Sequence, residues 1–178
     1  MKASSWFSKM IGTSLTLDSL ENVLVLQLRD LYSAEEQLIE ALPKMAEAAS
    51  SPKLKRALLD HLEETRRQKQ RLDSAFAMLG KEVESETCEA MEGLIAEGDE
   101  VAALDGDPDA KDAALIAAAQ RVEHYEIAGY GCARTFARQL GFDDVAALLQ
   151  ETLDEEANAD DTLTGVAETF INLQAARK

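Results

Sequence analysis

Three glutamates stand where an apolar helix stripe should continue. Glu35 falls between Leu31 and Leu38, Glu126 between Val122 and Gly129, and Glu156 between Leu149 and Leu163. Residues three, four or seven apart share a helix face, so each acid points the same way as the apolar residues around it. A fourth segment has a wider polar break: His61, Glu64 and Gln68 separate Leu54 and Ala57 from Leu72. Glu123 shares the Glu126 face one turn earlier, and Asp160 lies one turn beyond Glu156. A single such acid is also what a hydrogen-bonded core glutamate looks like, and His61 what a core histidine looks like. Several at one depth are different, because each charge removed from water is penalised and like charges repel. No lysine or arginine occupies these lines at that height, which leaves bound cations or protons as the compensation. Mostly oxygen donors with one imidazole suit iron or manganese in a paired site and would also accept magnesium or calcium, whereas the donor types exclude thiolate zinc.

Whether the acids meet depends on the elements that carry them. An antiparallel hairpin puts residues equidistant from its turn at one height, at about 1.5 Å per residue. With one turn near Ser51, Glu35 lies opposite Arg67, bracketed by Glu64 and Gln68; with another near Gly141, Glu126 faces Glu156 and Glu123 faces Asp160. The candidate metal-binding set is therefore Glu35, His61, Glu64, Glu123, Glu126, Glu156 and Asp160. His124 sits about 200° around its helix from Glu126 and is left out. Tyr32, one turn before Glu35, could donate to a ligand carboxylate or simply pack.

The chain is predicted to be all-α, a ferritin-like four-helix bundle in a single domain, 1–178. An N-terminal arm, 1–17, with an apolar stretch from Trp6 to Ile11, precedes a first helix over 18–50, with Asp18 and Glu21 as a capping box and Pro43 placing a kink near Ile39 to Leu42. Ser51-Pro52 opens a second helix, 52–79, stopped by Gly80. The crossover, 80–108, carries a short helix from Cys88 to Ala96. Asp107-Pro108 starts a third long helix, 109–140, closed by Gly141; Asp143 caps a fourth, 143–174, whose apolar face ends on Val166 and Phe170. Two short turns and one connection of about 30 residues match a bundle with one long crossover.

Composition narrows the partners. The 178 residues carry 34 acids against 18 basic groups, a net charge of −16 that repels phosphate backbones and disfavours nucleic acid. The run Arg66, Arg67, Lys69 and Arg71 lacks interleaved aromatics and reads as a solvated face or subunit contact. No apolar run reaches the roughly 18 residues of a membrane span, and no secretory signal is evident. Cys88 and Cys132 form no ligand pair and read as buried free thiols in a reducing cytoplasm.

The segments LRDLYSAEEQL and ALPKM in the first helix, HLEET in the second, CEAMEGLI in the crossover and QRVEHYEIAGYG in the third resemble the YciF family, bacterial stress-associated proteins of ferritin-like fold. The likeness runs from about Leu20 to Leu163. It implies a fold similar to rubrerythrin and ferritin, whose four helices hold two irons, and a homodimer. By the same resemblance Glu35, Glu64, Glu123, Glu126 and Glu156 stand at ligand positions, the Glu-x-x-Glu of the third helix being similar to rubrerythrin. The usual Glu-x-x-His pairs are absent: His61 precedes Glu64, and Glu156 is followed by Asp160. Two functions remain open. One is a stress-response protein with oxidoreductase-type chemistry on oxygen or peroxide at a paired iron or manganese site; the other is a non-catalytic dimer whose buried carboxylates bind metal only for stability. Mineral storage would require a multi-subunit shell.

Overall fold

A computed structural model describes residues 16–84 and 86–177. The apolar stretch at Trp6 to Ile11 lies outside the described residues. Among the described residues six helices follow one another: α1 Leu20–Ala48, α2 Pro52–Met78, α3 Glu89–Ala103, α4 Pro108–Gln139, α5 Asp143–Val166 and, after a wide turn at Ala167–Ile171, the short α6 Asn172–Ala175. No strand occurs among the described residues, and no described helix is long and apolar enough to cross a membrane.

Local chemistry accounts for the boundaries. Ser19, rather than Asp18, caps α1, its hydroxyl accepting from the Asn22 amide at 3.1 Å, and the helix runs without interruption through Pro43. Ser51 caps α2, with Pro52 at its first position. Asp112 of α4 reaches the same turn and accepts from the Ser50 and Ser51 amides at 2.8 and 2.6 Å, so one buried carboxylate holds the α1–α2 connection. Gly80 and Gly141, at φ 63° and 79°, take the left-handed conformation that closes α2 and α4. Phe142, not Asp143, is the capping residue of α5 and makes no side-chain cap; Asp143 and Asp144 instead place charge against the positive end of the helix dipole.

Other expectations change as well. The crossover helix continues to Ala103 instead of ending near Ala96, with Cys88 as its cap. Its start is pinned to α1 and α4: Ser33 accepts from the Cys88 amide at 2.9 Å, Gln37 donates to the Cys88 carbonyl at 3.1 Å, and the thiol lies 3.0 Å from the Tyr125 hydroxyl. Burial pushes the Cys88 thiol up to about 11, so it stays protonated, while Cys132, expected inside, is exposed. The fourth long helix does not run regularly to 174. The wide turn at Ala167–Ile171 changes the register, burying Ile171 completely and leaving Phe170, assigned to the core by its spacing, 42% exposed.

The long helices form a ring in which α1 packs on α2 and α4, and α5 on α2 and α4; α3 lies across α1 and α4. Paired contacts fix the directions. Glu21 meets Lys81 and Glu36 meets Lys69; Gln120 meets Asp160 while Arg134 meets Gln150; Gln68 meets Glu155 while Arg71 meets Glu151. Along α1 and α4, Leu31 lies against Gly129, and Ser50 against Asp112. In each pair one number rises as the other falls, so every neighbour is antiparallel. At Gly129 an added Cβ would stand 2.8 Å from Leu31, which explains a glycine within the α4 stripe.

This register divides the apolar core. One cluster gathers Leu38, Leu42, Leu54, Leu58, Leu115, Val122 and Leu163; the other gathers Leu24, Leu28, Leu31, Leu72, Phe76, Tyr130 and Leu149. The gap between them falls at one level on all four helices, and polar side chains fill it.

Candidate metal centre

Each long helix brings its polar residue into that gap by the spacing that buries its leucines. Glu35 of α1, His61 of α2, Glu123 and Glu126 of α4 and Glu156 of α5 are all at most 5% exposed. One donor atom from each of His61, Glu123, Glu126 and Glu156 lies within 4.8 Å of the others. The His61 Nε2 is 3.4 Å from Glu123 and 3.8 Å from Glu156, while its Nδ1 is 3.6 Å from Glu64. None of these is a hydrogen bond. Both nitrogens of His61, both oxygens of Glu126 and of Glu156, and one oxygen of Glu123 are buried with no hydrogen-bond partner.

Electrostatics follow from that isolation. Burial raises the Glu126 and Glu156 carboxyls well above the ordinary range, and the neighbouring carboxylates raise them further. Burial also raises Glu123, partly offset by His61. Glu35 is pushed by burial up to about 8 despite a hydrogen bond from Tyr130 and the nearby imidazole. Burial disfavours a charged His61, but Glu123, Glu64 and Glu35 outweigh it and raise its pKa. Such a group of anions holds either shared protons or a cation. Oxygen donors, one imidazole and orphaned lone pairs within one coordination sphere's reach fit a hard or borderline divalent ion.

The remaining predicted residues take other positions. Glu35 lies at the edge of the four-residue group, one oxygen held by the Tyr130 hydroxyl and the other free of hydrogen bonds. Glu64 is partly exposed and faces the far side of the imidazole, where a carboxylate commonly orients a metal-bound histidine. Asp160 accepts from Gln120 at 3.0 Å and lies 3.6 Å from the exposed His124. Tyr32 faces away, its hydroxyl bonded to Lys69 at 2.6 Å and its ring edge-on to Phe76. The basic run is spent within the chain: Arg71 forks onto Glu155 at 2.6 and 2.7 Å, Arg66 meets Glu63, and Lys69 meets Glu36.

Sequence reasoning missed Tyr130. It is completely buried one turn after Glu126, and its phenol is the group that reaches Glu35. The available signal was its i+4 spacing from Glu126 on a stripe otherwise lined by glycine and alanine. Thr65 and Gln68 also line the buried face of α2, and Gln68 donates to Glu155 at 3.1 Å.

A family model described as a domain of unknown function, DUF892, matches residues 19–176. Protein YciF of Escherichia coli strain K12 is 46% identical over 165 residues, covering 92% of this chain and 99% of that protein. The crystal structure of this E. coli stress protein superposes with a TM-score of 0.85 over 88% of this chain and 99% of its own. YcfI of Rhodopseudomonas palustris, 44% identical, superposes with a TM-score of 0.82, covering 85% of this chain and 97% of its own.

Proposed function

The chain belongs to the DUF892 family and is similar throughout to a stress protein, and from that premise we propose that it is a ferritin-like, carboxylate-rich metal protein of the stress response. The observation that carries this reading is the convergence of His61, Glu123, Glu126 and Glu156, buried and without hydrogen-bond partners, within 4.8 Å. Iron or manganese, as a pair, is the metal class that best suits the donors. When bound, such a pair supplies electrons for reduction of oxygen or peroxide.

The chain's own residues supply the rest. His61 turns Nε2 toward Glu123 and Glu156 and leaves Nδ1 toward Glu64, so the partner of one nitrogen fixes the other for a ligand. Tyr130 holds one oxygen of Glu35 and leaves the second without a hydrogen-bond partner, and Glu126 and Glu156 feel the charge of Glu35. The apolar clusters cover the carboxylate layer from either end of the bundle. We further propose a homodimer in the cytoplasm, where two free thiols are at home.

The competing reading, a non-catalytic helical dimer whose carboxylates share protons or hold metal only for stability, is favoured by the raised carboxyl pKa values. Elemental analysis of protein purified without chelator separates them, followed by a peroxide-consumption assay. Bound iron or manganese with peroxide turnover supports the redox reading, metal without turnover supports the structural one, and the absence of any bound metal after reconstitution defeats both metal roles. Light scattering at micromolar concentration should return about twice 19.4 kDa; a particle of one chain's mass refutes the dimer.

A further inference from the structure

The buried donors need a way for a charged ligand to reach them, and among the described residues two cavities reach Glu123. One, among Met45, Ile95, Ala102 and Val122 where α3 crosses, encloses about 20 Å³, room for about one water, within largely apolar walls. The other is a cleft of about 230 Å³ between α2 and α5. Six waters at about 30 Å³ each fit inside that volume, so it admits a divalent ion with its hydration shell.

The lining of the larger cleft is graded. Asp60 and Glu64 border it on α2, exposed Asn158 and Thr162 border it on α5, and His61 and Glu123 form its inner end. Both imidazole nitrogens and one Glu123 oxygen there are buried without hydrogen-bond partners. No lysine or arginine is among the lining residues. Arg56 pairs with Asp60 at 2.7 Å, and Arg67 lies 4.0 Å from Glu64, but these exposed contacts are weak enough for a divalent ion to displace.

We propose that the α2–α5 cleft is the passage by which a hydrated divalent cation reaches the buried centre, with Asp60 drawing it to the mouth and Glu64 exchanging the first waters before His61 and Glu123 take over. This rests on the metal-centre reading. It gives Glu64 two tasks, orienting His61 and receiving the incoming ion. It also accounts for a carboxylate on the His61 face that is 27% exposed while the donors beyond it are sealed.

Stopped-flow mixing of metal-free protein with Co²⁺, followed by visible absorption, reads association; competition with chelator reads dissociation. Asn158→Trp and Thr162→Trp, each narrowing the mouth from exposed positions, should slow association and dissociation by a common factor and leave the affinity unchanged. Asp60→Asn, a surface change that keeps shape, should slow association about fivefold at low salt, the effect of one carboxylate on a divalent ion ~8 Å away in water, and lose that effect at about 1 M salt. Wild-type protein that loads normally while all three variants load at its rate overturns the passage alone. Variants that change only dissociation, with lost affinity, overturn it as well, since the walls would then be ligands. Wild-type protein that takes up no cobalt, manganese or iron overturns the passage together with the metal reading.

Discussion

The metal-free protein should become less stable as pH rises through neutrality. Glu35 is fully buried, and its carboxyl is raised from 4.5 to about 8, chiefly by burial. The folded chain keeps a proton that the unfolded chain releases. The stabilisation is therefore complete below about pH 4.5 and is lost as pH climbs through about 8. At 1.36 kcal/mol per pH unit, this one group accounts for at most about 5 kcal/mol. Glu123, Glu126, Glu156 and His61 are all raised and act with the same sign. Glu155 runs the other way, held down by Arg71 against its partial burial, but its gain is complete once the pH exceeds the ordinary carboxylate range. For a domain of this size, about 5 kcal/mol corresponds to roughly 10–20 °C in melting temperature. Circular dichroism melts of chelator-treated protein between pH 5 and 8.5 should show a fall of that order. Metal-loaded protein should show a much flatter profile, because the cation replaces the protons and stabilises the folded state by mass action. A metal-free melting temperature that stays level or rises over this range would refute the reasoning.

Three substitutions probe the same layer. Glu126→Gln removes one anion from a group of anions, so metal content should fall while the metal-free protein melts higher at pH 8, measured by elemental analysis and calorimetry; lower stability at pH 8 would contradict the repulsion argument. Tyr130→Phe deletes the hydrogen-bond donor to Glu35 and should destabilise by about 2 kcal/mol at pH 8.5, where Glu35 is mostly ionised, and by less at pH 5.5; urea titrations at the two pH values check the difference. Gly129→Ala presses a methyl against the buried Leu31 where α1 meets α4, and this crowding, less about 1 kcal/mol of helix propensity gained, should destabilise by up to about 2 kcal/mol at either pH, read by the same titrations; a gain in stability would mean that Leu31 has room to move.

The helical architecture was legible because periodicity and punctuation agree at nearly every boundary. Ser51-Pro52, Gly80, Asp107-Pro108 and Gly141 each carry a local reason to start or stop. The departures arose where tertiary packing overrules local signals. A regular repeat places Phe170 inside, yet the wide turn at Ala167–Ile171 substitutes Ile171, and nothing in the local sequence demands that turn. The extension of the crossover helix to Ala103 follows from its packing across α1 and α4, which no reading of the crossover by itself contains. Within the centre, the buried positions of Glu35, Glu126 and Glu156 could be read because each is flanked by apolar residues at helical spacing. Equal distance from a turn gave their common height, but not which way each side chain bends. That is why Asp160 and Tyr32, at suitable heights, are engaged elsewhere by Gln120 and Lys69.

Asp112 and Glu126 show what sequence cannot separate and structure can. Both are acids on α4, both are 1% exposed, and they stand fourteen residues apart, close to four turns, so they share a face. Both oxygens of Asp112 are taken by the Ser50 and Ser51 amides, where the start of α2 also presents its positive dipole end. Its charge is answered by backbone, and removing Asp112 should loosen a turn. Both oxygens of Glu126 have no hydrogen-bond partner, and the carboxylates of Glu35 and Glu123 add repulsion to the cost of its burial. Burial is equal in the two, so burial does not distinguish them; the missing partner does. A carboxylate kept in an apolar layer with neither amide, hydroxyl nor guanidinium to receive it destabilises the fold unless something absent from the chain completes it. By that criterion His61, Glu123, Glu126 and Glu156 form a layer that could hold a metal ion.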